Sequence, residues 1–257
     1  MTGRCGFSYA QARIQSRFGQ RADEQVWLRL HNVLDLASYL QVAQQTPLRP
    51  WVLGIGASHN SHEIELALRQ KYRHHVDEVA SWMPTDWQMP LQWSKRLLDL
   101  PTMQYLLADG IVMPWMKADP EISEFAVNDP ALRLQLMHVA GYDSLVNAWQ
   151  QGDSMFTGWL SYWKQVRPRT TAFNNGLQNI ESLLHRQLQM QTNTDQAADY
   201  NAITDSLRIL FRRYAFQPAA AFAYLAIIAL DIHHVRNDLM LRLLFQGNKD
   251  LSEELPV

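Results

Sequence analysis

The sequence predicts an all-α protein, and three observations carry that prediction. Long stretches rich in Leu, Ala, Gln, Arg and Met repeat apolar residues every three or four positions, the period of one helix face. Pro, Gly and Asn/Asp separate these stretches, while β-branched runs with strict alternation, the mark of a strand, are absent. Helix-start signals also stand where the periodic stretches begin.

Taken in order, the first strong signal is Asn60 followed by Glu63. In this capping-box arrangement the Asn side chain accepts an orphan N–H and the Glu reaches back to the cap residue, which predicts a helix to about Trp82. Asp129-Pro130 places a cap residue before a proline at the first helical position, where a missing N–H is harmless, so another helix starts there. Pro218 does the same for the most strongly patterned segment, in which Ala221, Leu225, Ile228, Ile232, Val235 and Leu239 recur at spacings of four and three and predict a buried stripe. Thr46 to Ser58 reads as a loop, and Met83 to Trp93 and Gly110 to Pro120 as connectors or kinks. None shifts composition enough to mark a boundary, so residues 1–257 are taken as a single helical domain with internal pseudo-repeats. The tail from Asn248 to Val257 reads as a frayed terminus.

Composition narrows the function classes. The chain has 257 residues, 47% of them hydrophobic, enough for a sizeable core. A net charge of -2 and no cluster of four or more Lys/Arg leave no footprint for a phosphate backbone, so nucleic acid is not expected as a partner. One cysteine, Cys5, excludes an intrachain disulfide and fits a reducing cytoplasmic compartment. Met1 to Tyr9 lacks the apolar core of a secretory signal. The apolar run Ala219 to Leu230 ends at Asp231, short of the roughly 18 to 20 residues a spanning helix needs, so no membrane crossing is expected.

Chemistry-bearing patterns are sparse. The pairs His74-His75 and His233-His234 point about 100° apart on a helix and do not make bidentate sites. Asp231, His234 and Asp238 share one face at i, i+3 and i+7, the best local metal arrangement, but the second carboxylate-x-x-His element of a di-iron bundle is missing. There is no Gly-x-Ser-x-Gly elbow, no phosphate-loop lysine after Gly54 or Gly56, and no dinucleotide fingerprint. No catalytic residue, cofactor or metal is therefore expected. The aromatics Trp149, Trp159 and Trp163 crowd one region and read as core, with some aromatic surface left for a partner.

Two segments echo each other: Leu97 to Leu107, LLDLPTMQYLL, and Ala229 to Leu239, ALDIHHVRNDL. Each places an Asp, Asp99 or Asp231, before an apolar residue, and Met103 or Val235 four residues after the Asp, which suggests a repeated helical unit.

The run Tyr224 to Leu243, YLAIIALDIHHVRNDLMLRL, resembles the C-terminal helix of the central-stalk socket subunit of V-type rotary ATPases, the one lettered C in archaea and bacteria and d in eukaryotes. In that family an acidic residue precedes Ile-x-Asn-Leu-Arg; Asp231, Val235 and Arg236 take the acidic, Leu and Arg places, with His234 where the family has Asn. Tyr9 to Ile14, YAQARI, is similar to the family's opening Tyr-x-x-Ala-Arg-Val/Ile helix, and Leu34 to Thr46, LDLASYLQVAQQT, to the segment after it. The echo at Leu97 to Leu107 falls where the family has another copy of its motif, with Pro101 and Thr102 as departures.

The resemblance implies helical repeats packed into a funnel-like array. It implies a non-catalytic central-stalk component that couples the rotor shaft to the proteolipid ring in ion transport, cytoplasmic and peripheral to the inner membrane. Tyr9, Arg13, Asp99, Asp231, Val235 and Arg236 are then structural, holding helices in register through buried hydrogen bonds, ion pairs and packing. Two other readings stay open on the residues alone: a cytoplasmic helical adaptor for a soluble protein, and a metal-dependent bundle centred on Asp231, His234 and Asp238.

Overall fold

The computed structural model describes residues 5–190 and 196–253, with side chains over 6–186 and 202–245. Among these residues there are fourteen α-helices joined by short 3-10 turns and loops, and no strand, as the periodicity predicts. The chain gathers into two compact units, one made of residues 1–84 and 169–257 and the other of residues 85–168. The divisions follow Pro84 and Pro168. Composition does not shift at either point, which is why the sequence reads as one domain over 1–257.

The first unit opens with a 3-10 turn, Cys5–Phe7. Then come α1 (Ser8–Gly19), α2 (Glu24–His31), α3 (Leu36–Ala43), the single turn α4 (Arg49–Val52) and α5 (Ser61–Trp82). Asp23 and Asp35 accept from Val26 and Ser38 N–H groups and start α2 and α3. The Asn60–Glu63 capping box is fully formed, and the helix it opens ends at Trp82 as predicted. The expected loop at Thr46–Ser58 is interrupted by α4, which Pro50 in its first turn accommodates without losing a bond.

The second unit holds α6 (Thr85–Gln92), α7 (Leu100–Leu107), α8 (Pro114–Ala118), α9 (Pro130–Val139), α10 (Asp143–Gln150) and α11 (Met155–Val166). Both expected connectors therefore contain helix. In α6, Pro90 stands two residues from the end, so little helix remains to be disrupted, and the chain tightens into a 3-10 turn at Trp93–Leu98. Asp129 caps α9 as predicted, accepting from Ala131 and Leu132. Trp93 and Trp159 donate indole N–H groups to each other's carbonyls at 3.1 Å, tying that turn to α11. Trp159 and Trp163 are buried and stacked, ring centres 6.1 Å apart, while Trp149 is half-buried.

The chain then returns to the first unit as α12 (Asn174–Met190), α13 (Gln196–Arg213) and α14 (Pro218–Glu253). The predicted stripe from Ala221 to Leu239 is buried along its whole length, and α14 packs on α13, α5, α12, α1 and α3. Two expectations change here. Pro218–Phe245 is long and apolar enough to cross a membrane by length and composition, at a mean hydropathy of 1.4, and 72% of its apolar window is buried within the fold. Counting an uninterrupted apolar run misses it, because isolated polar residues such as Asp231 divide the run without breaking the helix. The expected frayed tail is helical backbone up to Glu253, and residues 254–257 lie outside the described residues.

The two echo segments adopt different structures. Leu97–Leu107 passes from a 3-10 turn through Asp99 into α7, with Pro101 in the first turn, whereas Ala229–Leu239 lies inside α14. Pro101 is accommodated in the first turn of α7, where its missing N–H costs no bond, whereas the copy in α14 has no proline and lies in mid-helix.

Gly158 gives a test of packing in the second unit. A Cβ added there would stand 2.4 Å from the Ser144 carbonyl oxygen and 2.9 Å from the Ala148 Cβ, so α11 meets α10 at backbone contact. Gly158→Ala is expected to destabilise the protein by about 1–3 kcal/mol, the usual range for overpacking, read by chemical denaturation.

Candidate functional site

Segments from the two ends of the chain meet along α14. From α1, Ala10 and Ile14 turn inward; from α3, Leu36, Tyr39, Leu40 and Ala43 do so; from α14, Ile232, Val235 and Leu239 complete the contact. Val235 is fully buried in the stripe.

One turn before it, Asp231 accepts two hydrogen bonds from Arg21, Nε to Oδ2 and Nη2 to Oδ1, both at 2.6 Å. The side chains are 6% and 10% exposed, so this is a buried, bidentate pair joining the bend just after α1 to α14. Burial raises the Asp231 carboxyl above the ordinary carboxylate range, and Arg21 opposes that rise. Arg21 is the partner that sequence reasoning missed. Arg21 lies two residues beyond the end of α1, in the bend before α2, where no helical spacing marks it as a partner.

The other motif residues stand elsewhere. Arg236 donates from Nη2 to Glu65 of α5 at 3.0 Å, with both side chains more than a third exposed or close to it. Tyr9 is exposed and accepts from Arg13 Nε at 2.9 Å within α1, so that bond fixes no second helix. Arg13 reaches α5 through its guanidinium, 5.3 Å from the Trp82 ring centre. Asp99 is fully buried in the second unit, with Arg96 Nη1 3.8 Å away, and does not join the α14 cluster.

Asp231, His234 and Asp238 share a helix face but are directed to different neighbours. His234 stacks on Trp27 at 4.2 Å, and Asp238 accepts from the Tyr39 hydroxyl at 3.1 Å. Arg242 covers the Tyr39 ring at 4.2 Å and donates to the Leu30, Val33 and Asp238 carbonyls, closing the end of α2. Among the described residues no three His, Cys, Asp or Glu side chains stand close enough together to hold a metal ion.

The Arg21–Asp231 pair also lines a cleft of about 840 Å³ within the first unit. Its walls are the end of α1, the segment 47–54, one face of α5 and the start of the α14 stripe. At its base His75 Nε2 meets the Tyr224 hydroxyl at 3.0 Å, and Nδ1 lies 3.4 Å from Glu78, which also accepts from Arg17 at 2.7 Å. Burial depresses His75 from 6.5 to about 4, Glu78 partly offsetting it, so the imidazole is neutral at neutral pH.

Arg21→Met or Asp231→Asn should each destabilise by about 3–5 kcal/mol by leaving the other group buried without its partner, while the double variant Arg21→Met/Asp231→Leu recovers much of that loss. Arg236→Ala should cost less than about 1 kcal/mol, as for other exposed pairs; denaturant titrations read all four. For His75 the unfolded chain takes up a proton below pH 6.5 and the folded chain only near 4, so its contribution is full above 6.5 and is lost as pH falls toward 4. That loss is on the order of 3 kcal/mol, and the pH dependence of stability in His75→Gln should be flatter by that amount across the window. No protein-family model, curated protein or solved structure matches this chain.

Proposed function

We propose that the protein is a non-catalytic central-stalk component of a V/A-type rotary ATPase, similar to the socket family that its terminal segments resemble. The observation that carries this reading is spatial. Three of the four segments that resemble the family, Tyr9–Ile14, Leu34–Thr46 and Tyr224–Leu243, come from opposite ends of the chain and meet at α14, on which both α1 and α3 pack. Tyr39 of the second segment bonds directly to Asp238 of the third. Chance likenesses to one family have no reason to become neighbours in space, whereas a shared fold requires it. The all-helical architecture agrees with the same reading but is common to many proteins, so it adds less.

In this role the helical repeats form a funnel-like socket between the rotor shaft and the membrane proteolipid ring. The protein transmits torque through rigid packing, without a cofactor or a chemical step, and its membrane association is peripheral and depends on those partners. The Arg21–Asp231 pair would then resist slippage of α14 against α1 under load.

The test is to tag the protein in its native host, solubilise membranes in mild detergent and identify by mass spectrometry what co-purifies. The catalytic, shaft and proteolipid components of a V-type ATPase are the expected result. Recovery of none of them from an intact membrane fraction would overturn the assignment and make an adaptor for a soluble protein the better reading.

A further inference from the structure

The face of α5 that lines the cleft is polar. Gln70, Lys71, His74, His75 and Glu78 recur on it at the spacings of a single helix face, with Gln70 and His74 exposed, Lys71 and Glu78 half-buried and His75 buried. Two wall cations are matched internally, Arg17 by Glu78 and Arg21 by Asp231. Lys71 is different. It is half-buried, and among the described residues no carboxylate lies within ion-pair distance of its ammonium. Burial lowers its pKa with no opposing charge to offset the effect. A cation that has lost part of its hydration without gaining a partner is unfavourable to the chain by itself, and an arriving anion relieves that.

The wall formed by residues 47–54 supplies the second requirement. Trp51 is half-buried and meets the His75 ring edge-on, at 84° and 5.4 Å between centres. In such a contact at least one indole face is left uncovered by the imidazole. Three cationic wall residues, Arg17, Arg21 and Lys71, stand against two carboxylates, Glu78 and Asp231, one cation in excess among these five side chains. Its volume of about 840 Å³ lies in the range of small-ligand sites.

We propose that this cleft binds a small organic anion, with a carboxylate or phosphate group held by Lys71 and the Gln20 and Gln70 amides, and a flat apolar body laid on Trp51. The site is independent of the ATPase assignment, since it rests on residues of the first unit alone.

Titration calorimetry on the full chain tests it, with phenyl phosphate and phenylacetate as probes and inorganic phosphate as the anion without a body. Saturable binding of at least one aromatic probe at concentrations of about 1 mM is expected, and the stronger of the two identifies the anionic group. Inorganic phosphate should bind more weakly than the preferred probe. Lys71→Met, which keeps the apolar stem, should weaken that probe by about ten-fold or more, the usual effect of losing a charge-assisted contact. Trp51→Leu should also weaken it, while Lys117→Met, whose side chain is not on the cleft walls, should bind as the parent does. Since Lys71 has no ion pair to lose, its variant should melt at the parent temperature or above, which separates lost binding from lost fold. No saturable binding of either aromatic probe, or undiminished binding by Lys71→Met, would overturn the proposal.

Discussion

The first part of α14 must be covered on nearly every side, and much of the first unit follows from that constraint. From Ala219 to Ile228 every residue except Ala226 is buried, so this length of helix has no polar face to turn to water. A helix apolar all round is stable in water only inside a ring of other elements. Here α13, α12, α5 and α1 supply the ring. Three of these four are supplied only if the N-terminal helix and the last two helices before α14 gather around one axis with α5, which is why the first unit is built from both ends of the chain.

Further along, α14 becomes amphipathic, and the polar groups it carries inward are matched. Asp231 has the Arg21 fork, and Asp238 has the Tyr39 hydroxyl with Arg242 close by. Buried pairs of this kind contribute little net stability over a well-packed apolar contact, because desolvation offsets most of the Coulombic gain. Their effect is on alternatives. Sliding α14 by one turn against α1 would keep apolar surface on apolar surface but strand a carboxylate and a guanidinium, so the pair penalises the wrong register more than it rewards the right one.

What is legible in the sequence is what short-range chemistry encodes. The Asn60–Glu63 box, the Asp129 cap and the start at Pro218 each depend on residues within one turn, and all three stand where that local chemistry sets them. The α14 stripe is legible because its period is local even though its purpose is not. Arg21 is not legible as the partner of Asp231, since 210 residues separate them and many arginines compete for the place. The division after Pro84 and Pro168 leaves no compositional trace, because both units are built from the same amphipathic helices. The motif residues show the same limit: Asp99 and Asp231 look equivalent in sequence, yet one stands at a helix start with Pro101 in its first turn and the fold places it in another unit.

The cleft shows how one residue serves packing and recognition without conflict. Arg21 holds Asp231 with Nε and Nη2, which leaves Nη1 uncommitted on the side of the guanidinium away from that fork. An anion entering the cleft therefore need not displace Asp231 to benefit from the Arg21 charge. Lys71 has no such internal obligation, so the cleft divides its cations into those that maintain the fold and one that does not. His75 sits between these roles: its ring bridges Tyr224 of the buried stripe and Glu78 of the rim, and burial keeps it uncharged. Beyond the ion pairs of Arg17 and Arg21, the cation the cleft presents to a ligand is Lys71. Recognition at this site is thus governed by one ammonium whose removal does not disturb the ion pairs that close the chain ends.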